Sequence, residues 1–225
     1  MVYNILNGDS LAYSFPAAKM EGDIIVFREA LIDGDLPADY KEIVTAPDHS
    51  TFNLWFEYDL FCQVNMWFIL SMINSLPVAK KVFAVYTSHL DKRSNHFWNG
   101  YGPANTQELQ ICYERRMLLR EEDIEFGATL WKAYREGKLE DLTRLSKSGS
   151  PAFPYLEEAV KAHVDRFPLD GVKGTPERVI EDIIVNISTD FPAVCKEFWK
   201  RESIYGFGDD QLRTLYDKVM LQHLS

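Results

Sequence analysis

Residues 59–76 are apolar on nearly every side, and no other feature of the chain constrains its fold as strongly. A helix with no polar face has nothing to offer solvent, so it belongs inside, beneath other helices. It follows directly on Phe52-Asn53-Leu54-Trp55-Phe56, an aromatic-rich run that predicts a strand. Further strands are expected at 3–6, 23–27 and 81–86, with crossover helices at 11–20 and 59–76 and a shorter one at 39–46. Gly8, Gly22, Gly34 and Pro77 supply the breaks. This order predicts an α/β fold: a Rossmann-like open parallel sheet of about four strands within residues 1–105.

Beyond Thr87 the pattern changes to a polar, Gly-containing stretch and then to helices without a strand signature. Asn105 with Glu108 reads as a cap and its N3 partner, opening a helix near Thr106. Helices at 121–136, 139–147 and 152–165 complete a helical connector over 106–166. The Phe167-Pro168-Leu169-Asp170-Gly171-Val172-Lys173-Gly174 joint then opens a small all-helical domain over 167–225. Its helices are expected at 176–187, 192–201 and 210–223, with Thr175 and Asp209 as caps and Pro176 at N1. Three short helices on tight turns are also how a helix-turn-helix or winged-helix unit reads, although that shape alone assigns nothing.

Charge narrows the partners. A formal charge of −10, with no basic segment anywhere, sets nucleic acid and anionic membranes at a discount. The longest apolar run, around Val64 to Ile73, falls short of the roughly 20 residues a membrane span needs. The start has no basic n-region of a secretory signal, and Cys62, Cys112 and Cys195 show no Cys-x-x-Cys pair. A reducing, cytoplasmic location is the expectation.

In open parallel sheets, ligands bind beyond the carboxyl ends of the strands. The residues falling there are Asn7, Gly8, Asp9 and Ser10; Arg28 and Glu29; Glu57, Asp59 and Gln63; and Thr87, Ser88 and His89. Each has an ordinary reading too. Asp9 or Ser10 could cap the first helix, Asp59 the buried one, and Gly8 could simply permit a turn. Glu57 is harder to dismiss, because it lies between Phe56 and Tyr58 where a carboxylate needs a partner, and Arg28 is the candidate partner.

Functionally, Asp9, Glu29, Glu57 and Asp59 are the residue types that hold a hard divalent ion such as Mg²⁺. Arg28, Ser10 and the backbone after Gly8 could instead receive a phosphate directly. Asn-Gly-Asp-Ser is neither Gly-x-Gly-x-x-Gly nor a Walker loop. A nucleophile could come from Ser10 or Ser88 with His89, yet no Gly-x-Ser-x-Gly elbow is present. His89 and His96, with Trp98, Asn99, Gly100, Tyr101 and Gly102, fall in a loop able to cover the sheet edge. Near the C-terminus, Lys196, Lys200 and Arg201 are interleaved with Glu197 and Glu202, as on a solvated helix face. Phe198, Trp199 and the Tyr205-Gly206-Phe207-Gly208-Asp209-Asp210 corner read as core and a capped helix.

The Asn7-Gly8-Asp9-Ser10 opening, the 25–34 segment and the 54–65 stretch together resemble a bacterial family known only as domain of unknown function number eighteen thirty-five. Phe167-Pro168, Gly171, Glu177 and Gly206-Phe207-Gly208-Asp209 resemble its companion C-terminal domain. The resemblance covers most of the chain. It implies that Asn7, Gly8, Asp9, Ser10, Arg28, Glu29, Glu57, Asp59, Gln63, Gly208 and Asp209 are family positions, and it implies no activity. The chain departs from that pattern at Asn4, where relatives commonly have His, and at Gly34-Asp35, where they have Gly-Pro, so no opening histidine carries over.

The expectation is a protein that binds a small phosphate-bearing or nucleotide-like ligand at the strand ends, with Mg²⁺ and a transferase or hydrolase activity as the accompanying chemistry. The alternative is a non-catalytic regulator or adaptor whose C-terminal helices contact a protein or DNA.

Overall fold

A computed structural model describes residues 1–34, 40–87 and 100–223. Four parallel strands, β1 (Val2–Asn7), β2 (Asp23–Phe27), β3 (Ser50–Trp55) and β4 (Lys80–Val85), lie in the order β2-β1-β3-β4. A fifth, β5 (Met117–Leu119), joins the β4 edge antiparallel. The expectation of unbroken helices after Thr87 missed this strand. Three residues without alternation carry no period to read, and its pairing with β4 is what makes it a strand.

The strand pleat sorts the two faces. Ile5, Leu54 and Ala84 lie in register and point to one side, where the larger core begins. Leu6, Trp55 and Val85 point to the other, against α1 (Asp9–Ser14) and α4 (Thr106–Glu114). Asn4 lies on this second face as a buried polar knot: its Oδ1 accepts from Asn53 Nδ2 and Trp55 Nε1, both at 3.2 Å, and its Nδ2 donates to Glu21 O at 2.9 Å.

The apolar helix is α3 (Leu60–Asn74), and it is buried as expected, under α5 (Glu121–Arg135) with α7 (Leu156–Asp165) and the short α2 (Lys41–Val44) beside it. Next along the chain from α5 comes α6 (Leu139–Ser146), and α8 (Thr175–Asn186), α9 (Phe191–Glu202) and α10 (Asp209–His223) complete the molecule. One buried apolar cluster runs from Tyr3 in the sheet through α3 and α7 to Val219 in α10.

Several helix starts differ from expectation for local reasons. The helix expected at 11–20 stops at Ser14, because Pro16 lacks an N–H and holds Phe15 extended at φ −67°, ψ 124°. The helix expected from 152 starts at Leu156, behind Pro151 and Pro154, with Tyr155 left-handed at φ 63°. Gly174, not Thr175, is the residue before α8, and Pro176 sits in its first turn. Asp209 lies inside α10, where Gln211 Oε1 instead accepts the Gly208 N–H at 3.0 Å. The Asn105–Glu108 capping box is present.

Among the described residues, no helix is long and apolar enough to cross a membrane.

Candidate functional site

From β1 the chain crosses outward to β2, then returns past β1 to β3, so the crevice between the ends of β1 and β3 is the switch point of the sheet. Asn7 closes β1 there, and Glu57, Asp59 and Cys62 come from the turn that leads from β3 into α3. One ligand-capable atom from each of Glu57, Asp59 and Cys62 lies within 4.8 Å of the others.

The turn is built by its own polar groups. Asp59 is the N-cap of α3 and accepts from Cys62 N at 3.0 Å. Gln63 Nε2 reaches back to Glu57 O at 2.7 Å. Glu57 Oε1 accepts the Tyr101 N–H at 2.5 Å, and Oε2 accepts from the Cys62 thiol at 3.3 Å. Behind the thiol runs a chain of donors with one polarity. Asn65 Nδ2 donates to Asn7 Oδ1 at 2.8 Å, Asn7 Nδ2 to Cys62 Sγ at 3.0 Å, and Cys62 to Glu57. Such chains polarise each link toward the acceptor at the end, here Glu57.

Two glycines from distant parts of the chain cover the carboxylates. A Cβ on Gly100 would sit 1.8 Å from Glu57 Oε1, and a Cβ on Gly206 would sit 1.9 Å from Asp59 Oδ1. Both have positive φ, 56° and 63°, so only glycine meets both the space and the backbone there. Gly206 belongs to the 206–208 corner before α10, which with Trp199 of α9 forms the far wall of the crevice. The crevice, open to solvent on one side, has a volume of about 390 Å³.

The electrostatics follow from burial without a cation. Among the described residues, no Lys or Arg lines the crevice. Burial raises the Glu57 carboxyl, against the pull of the Tyr101 N–H and the Cys62 thiol. Burial, with the nearby Glu57 charge, lifts Asp59 to about 7. The Cys62 thiol is pushed well above its usual value by burial and by both acids, so it stays protonated and donates to Glu57.

The other strand-end residues go elsewhere. Arg28, expected beside Glu57, instead pairs with Asp9, Nη2 to Oδ1 at 2.8 Å, with both side chains largely in solvent. Asp9 therefore does not cap α1, whose preceding residue is Gly8 without a side-chain cap. Ser10 is exposed on that same six-residue helix. Glu29 accepts from the Tyr40 hydroxyl at 3.1 Å, which helps push that phenol up to about 12 behind the larger effect of burial. Of the four acids expected to share an ion, only Glu57 and Asp59 come together; Asp9 and Glu29 do not join them. Thr87 is buried and its hydroxyl has no partner among the described residues, while Ser88 and His89 lie outside them.

Sequence reasoning placed Gly100 and Tyr101 in a loop able to cover the sheet edge, and they do lie against Glu57; it missed Cys62, Gly206 and Trp199 as site residues. The signal open to it was a glycine in each of two polar corners far from the acids, which no local pattern connects to Glu57 and Asp59.

Fold and site define an α/β protein with a mostly parallel sheet, an all-helical C-terminal part and an acidic crevice at the switch point. No protein-family model matches the chain, and neither a curated protein nor a solved structure matches it.

Proposed function

We propose that the chain binds a small phosphate-bearing or nucleotide-like ligand in this crevice, and that it meets the phosphate through a divalent cation such as Mg²⁺ held by Glu57 and Asp59. The observation that carries the reading is a buried Asp59 beside a half-buried Glu57 at the switch point, both with raised carboxyls and, among the described residues, no basic side chain along the crevice wall. Buried acids with raised pKa values cluster at working sites, and a pair without a cation is a place for one. Direct phosphate capture at Gly8, Ser10 and Arg28 is not part of this reading. Arg28 is already engaged by Asp9, and α1 is only 6 residues long.

Transfer or hydrolysis of a phosphoryl group is the chemistry such a site would serve. Carboxylates titrating near neutrality can move a proton, and the chain of donors from Asn65 holds Glu57 in place for it. The kinship with the bacterial family of unknown function belongs to this reading and adds no activity. The adaptor alternative draws little from α9, since Arg201 pairs with Asp182 and Glu197, and Lys200 with Glu197.

Thermal unfolding with MgCl₂ or MnCl₂, alone and with ADP or inorganic phosphate, tests the proposal. Stabilisation approaching about 2.7 kcal/mol at a hundredfold excess over Kd is expected in the wild type and is lost in Glu57→Gln. Cations that stabilise Glu57→Gln equally, or no stabilisation by any of them, would refute it.

A further inference from the structure

Beyond Phe207 and Gln211, which also line the acidic crevice, the chemistry changes. Two cavities of about 480 and 530 Å³ adjoin along Ile32, Asp33, Arg166 and Phe167. Arg166, just past α7, donates from Nη2 to Ile32 O at 3.1 Å, and its guanidinium lies 5.7 Å from the Phe207 ring centre and 5.9 Å from that of Phe167. Its Nη1 is buried and has no hydrogen-bond partner, and among the described residues Arg166 makes no ion pair. The side chain as a whole is only half-buried and lines both cavities, so a permanent charge without a carboxylate partner is open to an anion that enters them.

The surroundings fit such a visitor. His163, one turn earlier on α7, is 5% exposed and lines the first cavity, and its Nδ1 is also without a partner. Burial first, and the Arg166 charge second, hold this imidazole down at about 4, so it is neutral at pH 7 and free to accept or donate. Trp131 and Tyr134 stack at 6.0 Å, and Tyr134 lies 4.6 Å from His163, giving the cavity flat apolar walls. The other charges facing the space are Arg135 at the rim of the first cavity, and Asp33, Glu177 and Lys218. Asp33 accepts from Gln211 Nε2 at 2.9 Å, and Glu177 accepts from Lys218 at 2.5 Å with Lys173 3.8 Å away. The acids already have side-chain partners, while the guanidinium has the Ile32 carbonyl and, among the described residues, no carboxylate.

We infer that this cleft is a second ligand site, taking a small molecule with a carboxylate or phosphate group on a flat apolar body: Arg166 receives the anion, and Trp131, Tyr134 and Phe167 receive the body. It does not depend on the reading of the acidic crevice, whose walls are of opposite charge.

Isothermal titration of the full chain with benzoate, phenyl phosphate and the neutral isostere benzamide tests it. Both anions bind the wild type and benzamide binds about tenfold more weakly or not at all, as expected when a charge-assisted hydrogen bond is lost. The tighter of the two anions identifies the group the site prefers. Arg166→Gln weakens both by about tenfold or more, and Asp33→Asn, which removes the nearby negative charge, tightens both. Absence of binding by both anions, benzamide binding as tightly as benzoate, or undiminished affinity in Arg166→Gln overturns the inference. Should Arg166→Gln fail to fold, Asp33→Asn decides: tighter binding supports the site, and unchanged or weaker binding overturns it.

Discussion

The ends of β1 and β3 both present aspartates at a helix start, and they have opposite electrostatics. Asp9 sits in solvent with Arg28 beside it, and the hydrogen bonds from Arg28 lower its carboxyl. Asp59 is 3% exposed, faces Glu57 rather than a cation, and is raised to about 7. The same residue type at equivalent places in a parallel sheet is a surface ion pair in one case and a poised acid in the other. What separates them is the roof: Gly100 and the Gly206 corner close over β3's end, while α1's end stays open.

The largest test removes the roof's fit. Gly206→Ala forces a Cβ against Asp59 at a backbone angle that suits glycine, and should cost about 4 kcal/mol, read from the urea midpoint. A loss no larger than that of an ordinary surface substitution would show that the contact is slack. The same change at Gly8, also at positive φ but with nothing within reach of a Cβ, should cost less, the backbone strain alone.

Next comes charge. Asp59 ordinarily titrates near 3.8 and here near 7. The folded protein therefore holds a proton that the unfolded chain has released, and stability falls as pH rises through that window, then levels off above it. Asp59→Asn, which can still cap α3, should flatten the decline by about 4 kcal/mol between its ends. Identical pH profiles for wild type and variant would sink the assignment.

Asn7→Ala breaks the donor chain that ends on Glu57 and should cost about 1 kcal/mol, measured by chemical denaturation. The smallest effect belongs to the exposed pair. Arg28→Ala should leave the denaturation midpoint where it is, because solvent and salt already screen that contact. A clear loss there would mean that β1's end is more like β3's than its exposure indicates.

These contrasts also mark what sequence could reach. Strands expected at 3–6, 23–27, 52–56 and 81–86 differ from the observed spans by at most two residues at any end, since β-branched and aromatic runs between turn residues speak for themselves. The burial of α3 followed from its lack of a polar face. Glu57 stood out because a carboxylate in an apolar run needs an explanation. Its neighbours were legible only in part: Asp59 and Gln63 followed from the strand end, and the loop holding Tyr101 from its polar composition, but not which groups would meet the carboxylate. Arg28 is as close in sequence logic as Tyr101, yet the structure sends Arg28 to Asp9 and brings Tyr101 N–H to Glu57. Long-range closure of this kind, like the edge pairing that creates β5, depends on tertiary contacts that local propensity does not encode.

Glu57 and Asp59 are proposed to be an acid pair, half-buried and buried, that takes up a cation. Carbon-13 NMR titration of their side-chain carboxyls, with and without MgCl₂, tests it most directly. Both are expected to titrate above their ordinary range without the cation, Asp59 near 7, and Mg²⁺ is expected to move both downward as it displaces the retained proton. Carboxyls titrating in the ordinary range and indifferent to Mg²⁺ would contradict it.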